Sequence, residues 1–246
     1  MTLGPELIVA LDGAYEAFAN YPRPIRMEAL PLRDPKKIIA TLSSAPLRRL
    51  TGEQIGPYAG WALTTVGSIS DYKHFLPRIL EQAIRDPVWL GTEPPIIASR
   101  LKMAEWRTWP KSEQSAVVTV FQTAWHESNQ HHPYEADASE WLCGLAALEE
   151  DIQPLLREWT TRAKGNSLLQ IASLARELPA LVSLDPDEQI FWADVAPEVR
   201  ARIVFWLVSA EVGAALASAA RVVEDDMWLI EQGVRALADY GRSTQH

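Results

Sequence analysis

Apolar residues along this chain recur every three to four positions almost throughout, and hardly anywhere every two. A period near 3.6 stacks side chains on one face of a helix, whereas a half-buried strand needs strict alternation. Leu7, Val9, Leu11, Tyr15 and Phe18 mark one such face, and Val117, Val120, Phe121, Ala124 and Trp125 a second. Trp141, Leu145 and Leu148 make a third, and Ile171, Leu174, Ala175 and Leu178 a fourth. No run of four or more β-branched and aromatic residues alternates with polar ones and closes on an Asn-Gly or Asp-Gly turn. The pattern predicts an all-α protein of about ten to twelve helices.

Start signals support this. Asp34-Pro35 puts a capping carboxylate before a proline at the first helical position. Asp185-Pro186-Asp187-Glu188 repeats the device and adds Glu188 at the capping-box position. Ala196-Pro197-Glu198 opens another helix, and Asp151 is placed to cap the one that runs to Arg162. Ile203–Ala220 is the most apolar stretch, but Glu211 at its middle is costly in a bilayer, so it reads as a buried core helix. Met1–Asn20 lacks a basic leader and carries Glu6, Asp12 and Glu16, unlike a secretory signal.

Twelve of the 17 prolines fall in residues 1–110, which predicts short helices and irregular connections there and longer, closely connected helices in 111–246. The expectation is one helical domain over 1–246, built of antiparallel helix pairs and arranged as a degenerate HEAT-like α-solenoid or an irregular bundle. Internal repetition is slight, limited to Glu140-Trp141 and Glu158-Trp159. Ten tryptophans spread through amphipathic helices read as core and inter-helix packing, with Trp106 and Trp109, either side of a short turn before Pro110, expected to be partly exposed.

Charge is distributed unevenly. Residues 1–110 hold 13 basic and 11 acidic side chains, net +2, while 111–246 hold 10 and 21, net −11. No Lys or Arg occurs in 112–156, where eight acids lie, nor in 177–199, where six more lie. Such a surface repels nucleic acid, whose binding requires cations on phosphates, and attracts a basic protein. The candidate contacts are Glu127, Glu135, Asp137, Glu149, Glu150, Asp151, Asp187, Glu188 and Asp194, with an exposed tryptophan as anchor. The single cysteine, Cys143, sits in an apolar helix; it excludes a disulfide scaffold and fits a reducing, cytoplasmic compartment.

Recognisable catalytic chemistry is sparse. His126, His131 and His132 lie near Glu127, Glu135 and Asp137, but without the His-x-x-x-His spacing that aims two imidazoles at one metal; neither a metal nor any other cofactor is expected. Gly-x-Ser-x-Gly and phosphate-loop motifs are missing. The densest segment runs from Tyr58 to Glu81: a helix expected to end at Gly67, a short turn, and a second helix capped by Ser70 or Asp71. Asp71, His74 and Arg78 share a face of that second helix, either as a small hydrolase or transferase site beside Tyr58, Thr64 and Thr65 or as a polar network joining helices.

Within this segment Thr65, Gly67, Asp71, Tyr72, His74, Phe75, Pro77 and Arg78 resemble a Thr-x-Gly turn followed by Asp-aromatic-x-His-Phe-Leu-Pro-Arg in a family of bacterial all-helical proteins. The resemblance covers about 25 residues and implies no activity. At the level of class, acidic helical proteins of this kind resemble immunity proteins that neutralise polymorphic toxins. The resulting expectation is a non-enzymatic cytoplasmic binding protein that engages a basic partner, a secreted toxin foremost. A small-ligand-binding regulator is the further alternative to an enzyme.

Overall fold

The computed structural model describes residues 3–87, 89, 91–219 and 226–243. The described residues are all-helical, with isolated bridges joining Val66 to Ala29 and Ala62 in place of any strand. The chain divides into two compact units, Met1–Ala124 and Trp125–His246. The division between the units falls inside a helix.

In the first unit run α1 (Pro5–Ala17), α2 (Pro35–Leu42), α3 (Gly52–Trp61), α4 (Ile69–Arg85) and α5 (Pro94–Met103), followed by α6 (Lys111–Ser128), which contains the division. Asp34 caps α2 as expected, accepting from the amides of Lys36 and Lys37 at 3.0 and 3.1 Å. The core is built on α4, whose Tyr72, Phe75, Leu76, Ile79, Leu80 and Ala83 are buried at helical spacing and which packs against α1, α3 and α5. Pro77 lies within α4 without ending it. Its cap is Ser68 rather than Ser70 or Asp71: the Ser68 hydroxyl accepts from the Asp71 amide, and the Asp71 carboxylate accepts from the Ser68 amide at 2.8 Å, a complete capping box.

Trp106 and Trp109 depart from expectation, being only 2 % and 6 % exposed. The Trp109 indole donates to the Ala104 carbonyl at 2.9 Å, Phe18 meets its ring edge-on, and the Lys73 ammonium lies 4.1 Å from its centre. Phe18 and Lys73 are too far away in the chain to be read from the Trp-Pro turn.

The second unit contains α7 (Ala138–Ala147), α8 (Gln153–Arg162), α9 (Asn166–Arg176), α10 (Leu178–Val182), α11 (Pro186–Gln189), α12 (Pro197–Leu207), α13 (Ala210–Ala219) and α14 (Met227–Ser243). The described residues thus hold 14 α-helices, more than expected, because α10 and α11 are single turns and 203–220 is broken. That break corrects the reading of one core helix: α12 and α13 meet at 52°. Val208 ends α12, and the Ser209 hydroxyl accepts from the Val212 amide at 3.4 Å, starting α13 afresh. Ala220 lies outside the described residues. Among the described residues no single helix is long and apolar enough to cross a membrane, although the bent α12–α13 pair passes by length and composition.

Packing in this unit centres on α9, which touches α7, α13 and α14. Contacts between helices so far apart in the chain differ from a one-dimensional stack, where each pair meets only its neighbours. Gly233 makes the α9–α14 approach possible: a Cβ there would sit 2.8 Å from the Cα and carbonyl oxygen of Ala172. Trp125, Trp159 and Trp206 form a chain of rings at 5.4 Å steps, as packing tryptophans should.

Candidate functional site

Asp71, His74 and Arg78 stand on α4 but serve three different partners. Asp71 closes its own helix's capping box, accepting from the Ser68 amide and hydroxyl at 2.8 and 2.9 Å. His74 donates from Nδ1 to the Tyr21 carbonyl at 2.8 Å, which sets its tautomer, and Nε2 is left buried without a partner. Arg78 donates from Nε to the Leu50 carbonyl at 2.7 Å and pairs with Glu81 at 2.6 Å. These bonds tie α4 to the chain after α1 and to the turn before α3. The three groups do not converge on a common point where a substrate would sit.

The nine candidate acids divide among three stretches. In the first, His131 stands 3.6 Å from both Glu127 and Glu135, one carboxylate at each ring nitrogen, while Asp137 is partly buried and caps α7 through the Ser139 amide at 2.7 Å. Burial holds the Asp137 carboxyl above the usual range, with the bonds from Ser139 and Glu140 and the Arg176 charge working against it. In the second, Glu149 occupies a left-handed position (φ 62°) past the end of α7, Glu150 donates its amide to the Leu145 carbonyl at 3.1 Å, and Asp151 accepts from the Gln153 amide at 3.1 Å. The third, 187–194, presents Asp187, Glu188 and Asp194 to solvent. Among the described residues no three His, Cys, Asp or Glu side chains are grouped to hold a metal ion.

The third stretch sets its acids among large exposed aliphatic side chains, whereas in the first Glu135 follows the exposed ring of Tyr134. Arg200, buried on α12, donates to the Ser183 carbonyl at 3.1 Å, and buried Gln189 donates to the same oxygen at 2.8 Å. The Ser183 hydroxyl donates to Glu188 at 2.8 Å and accepts from the Asp185 amide at 3.1 Å. Asp185 caps α11 as expected, but the expected capping box is not formed, because Glu188 bonds Ser183 instead. Further along, the Cys143 thiol donates to the Phe191 carbonyl at 3.3 Å and the Trp192 indole donates to Glu177 at 2.6 Å.

The segment is therefore held from beneath at 183, 191 and 192, and what lies between is turned outward. Leu184 is 93 % exposed and Ile190 69 %. Ile190 also holds φ at 51°, a conformation that a β-branched residue adopts only under constraint. Beneath them Glu177 accepts from Ser139 at 2.7 Å as well as from Trp192. Its carboxyl is raised by burial and by the Asp137 charge, and burial with the nearby Glu177, Glu140 and Asp194 charges pushes the Cys143 thiol well up, leaving it protonated and inert.

Arg200, Gln189 and Glu177 shape this surface, and none stood out in the sequence beyond Arg200 ending an acid-only stretch. Trp228 is an exposed tryptophan, and its ring is stacked on Tyr134 at 6.0 Å. No protein-family model, curated protein or solved structure matches the chain.

Proposed function

We propose that this is a non-enzymatic binding protein whose 182–194 segment engages a basic protein partner. Leu184 and Ile190 serve as apolar anchors, and Asp187, Glu188 and Asp194 form a charged rim. The observation that carries this reading is the pair of large apolar side chains held outward on a hydrogen-bonded loop within a stretch of four exposed acids and no cation. Apolar anchors ringed by charge supply slow dissociation and fast, steered encounter respectively. The class-level resemblance to immunity proteins makes a secreted toxin the partner to try first.

The test begins with a photo-cross-linking side chain at Leu184 and, as control, at Ile25, another exposed apolar position. A basic protein captured at Leu184 and not at Ile25 is then purified for kinetics. Leu184→Ala with Ile190→Ala should weaken binding about 10–100-fold, mostly through the off-rate. Asp187→Lys with Asp194→Lys should lower the on-rate and flatten its salt dependence. An acidic partner, or kinetics indifferent to both double variants, overturns the reading.

A further inference from the structure

The first unit carries a cleft of about 600 Å³ between α2 and α3, lined entirely by residues 32–61. That is the size of a small-molecule site, and its character matches one: mostly apolar walls with a few polar groups. Ile38, Leu42, Pro57, Tyr58 and Trp61 supply walls, Arg33 and Lys37 two positive charges, and Asp34 and Glu53 two carboxylates on the same lining.

Arg33 is the telling residue. Its guanidinium lies over the Trp61 ring with 3.9 Å to the centroid, and its Nε is shielded from solvent with no hydrogen-bond partner. Stacking uses the face of the guanidinium, so that its in-plane Nη donors, rather than the shielded Nε, are the ones placed to receive a planar or tetrahedral oxyanion. Asp34 caps α2 through Oδ1, which accepts from the Lys36 and Lys37 amides, and makes no ion pair with Arg33 among the described residues. The Lys37 ammonium has no ion-pair partner among the described residues, although its side chain lines the same cleft.

We propose that this cleft binds a small organic anion with a flat apolar body, its acid group on Arg33 and Lys37 and its body against Pro57, Tyr58 and Ile38. The site is independent of the 182–194 surface and needs no partner protein.

The experiment titrates the full chain with three probes of one shape: 1-naphthoate, 1-naphthyl phosphate and the neutral 1-naphthalenemethanol. Binding is read by calorimetry and by the indole N–H signal of Trp61, assigned with Trp61→Phe. The expected result is saturable binding of both anions in the micromolar-to-millimolar range, with the neutral alcohol at least about tenfold weaker. Preference between carboxylate and phosphate identifies the natural head group. Arg33→Gln and Lys37→Gln should each weaken naphthoate binding about tenfold and leave the alcohol's unchanged; both side chains have solvent-accessible surface, and an unchanged melting temperature confirms the fold. The proposal is overturned if neither anion saturates by about 10 mM, if the alcohol binds as well as the anions, or if both variants bind naphthoate like the parent.

Discussion

Lys73 and Arg78, buried in the first unit, each rest on a carboxylate, whereas Arg200, buried in the second, rests on backbone carbonyls. Lys73 meets Glu113 at 2.8 Å, and Tyr21 donates to the same carboxylate at 2.8 Å while accepting from Lys73 at 2.9 Å. In the second unit Asp137 and Glu177 sit close enough for the Asp137 charge to raise Glu177, and their bonds come from hydroxyl, amide and indole donors. One unit neutralises the charge it buries; the other keeps an excess of acid inside as well as outside. The difference teaches that the −11 of residues 111–246 is more than a solvated skin, since part of it is built into the packing beneath the candidate interface.

The largest test of this contrast removes one half of the Lys73–Glu113 pair. Lys73→Met leaves Glu113 buried without its cation and should cost about 3–5 kcal/mol in denaturant unfolding. Adding Glu113→Leu should recover most of that loss, because a buried pair replaced by apolar groups is often close to neutral. A double variant as unstable as the single would mean that Tyr21, Trp109 and the ion pair act as one inseparable knot.

The second unit should instead be most sensitive to steric change at its central helix contact. Gly233→Ala pushes a methyl group onto the Ala172 backbone and should cost about 1–3 kcal/mol. Gly213→Ala, in α13 with nothing within 4 Å of the new carbon, should stabilise by about 0.5–1 kcal/mol. Equal effects at the two glycines would show that α14 does not lie on α9 as described.

These residues also show what the sequence could reveal. Helical periodicity and the caps at Asp34 and Asp185 were legible because both are local: the partners lie within three residues. The Ser68 cap was missed by two positions, since Ser68, Ser70 and Asp71 offer equivalent chemistry until the backbone chooses. The break at Ser209 was hidden inside an apolar run, where composition outweighs a lone hydroxyl. Lys73 and Glu113 are forty residues apart, and nothing in either neighbourhood announces the pairing. Leu184 and Ile190 were equally silent, because their exposure is decided by Arg200, Gln189, Cys143 and Glu177 holding the segment from below.

Glu149 offers a smaller effect with a functional edge. It holds the left-handed position that ends α7, with its amide donating to the Ala146 carbonyl at 3.1 Å, a site where glycine carries no Cβ penalty. Glu149→Gly should therefore stabilise by about 0.5–1 kcal/mol in thermal unfolding. A loss of stability would show that the Glu149 carboxylate contributes to the fold.

The smallest effect separates the two units by sign. Glu81 is drawn upward by burial, but the hydrogen bonds from Tyr15, Arg85 and Arg78 outweigh this and hold its carboxyl below the usual range. Its stabilising contribution is present above the ordinary carboxylate pKa, about 4.3, and is lost as pH falls toward the depressed folded value. Asp137 and Glu177 are shifted the other way, so their contribution is fully present below the ordinary pKa and lost as pH rises through the raised folded values. Acidifying from neutrality toward about pH 4.5 should thus strengthen protection of amides in α7 and α9 while leaving those of α4 unchanged, and further acidification should weaken α4. Hydrogen exchange corrected for intrinsic rates measures both helices in one experiment. Partial burial keeps the change modest, because solvent still screens each carboxylate. Asp137→Asn with Glu177→Gln should abolish the gain at α7 and α9 and spare the acid response of α4; a gain that survives would place its origin in other groups, and the contrast between the units would then rest on the buried cations Lys73, Arg78 and Arg200.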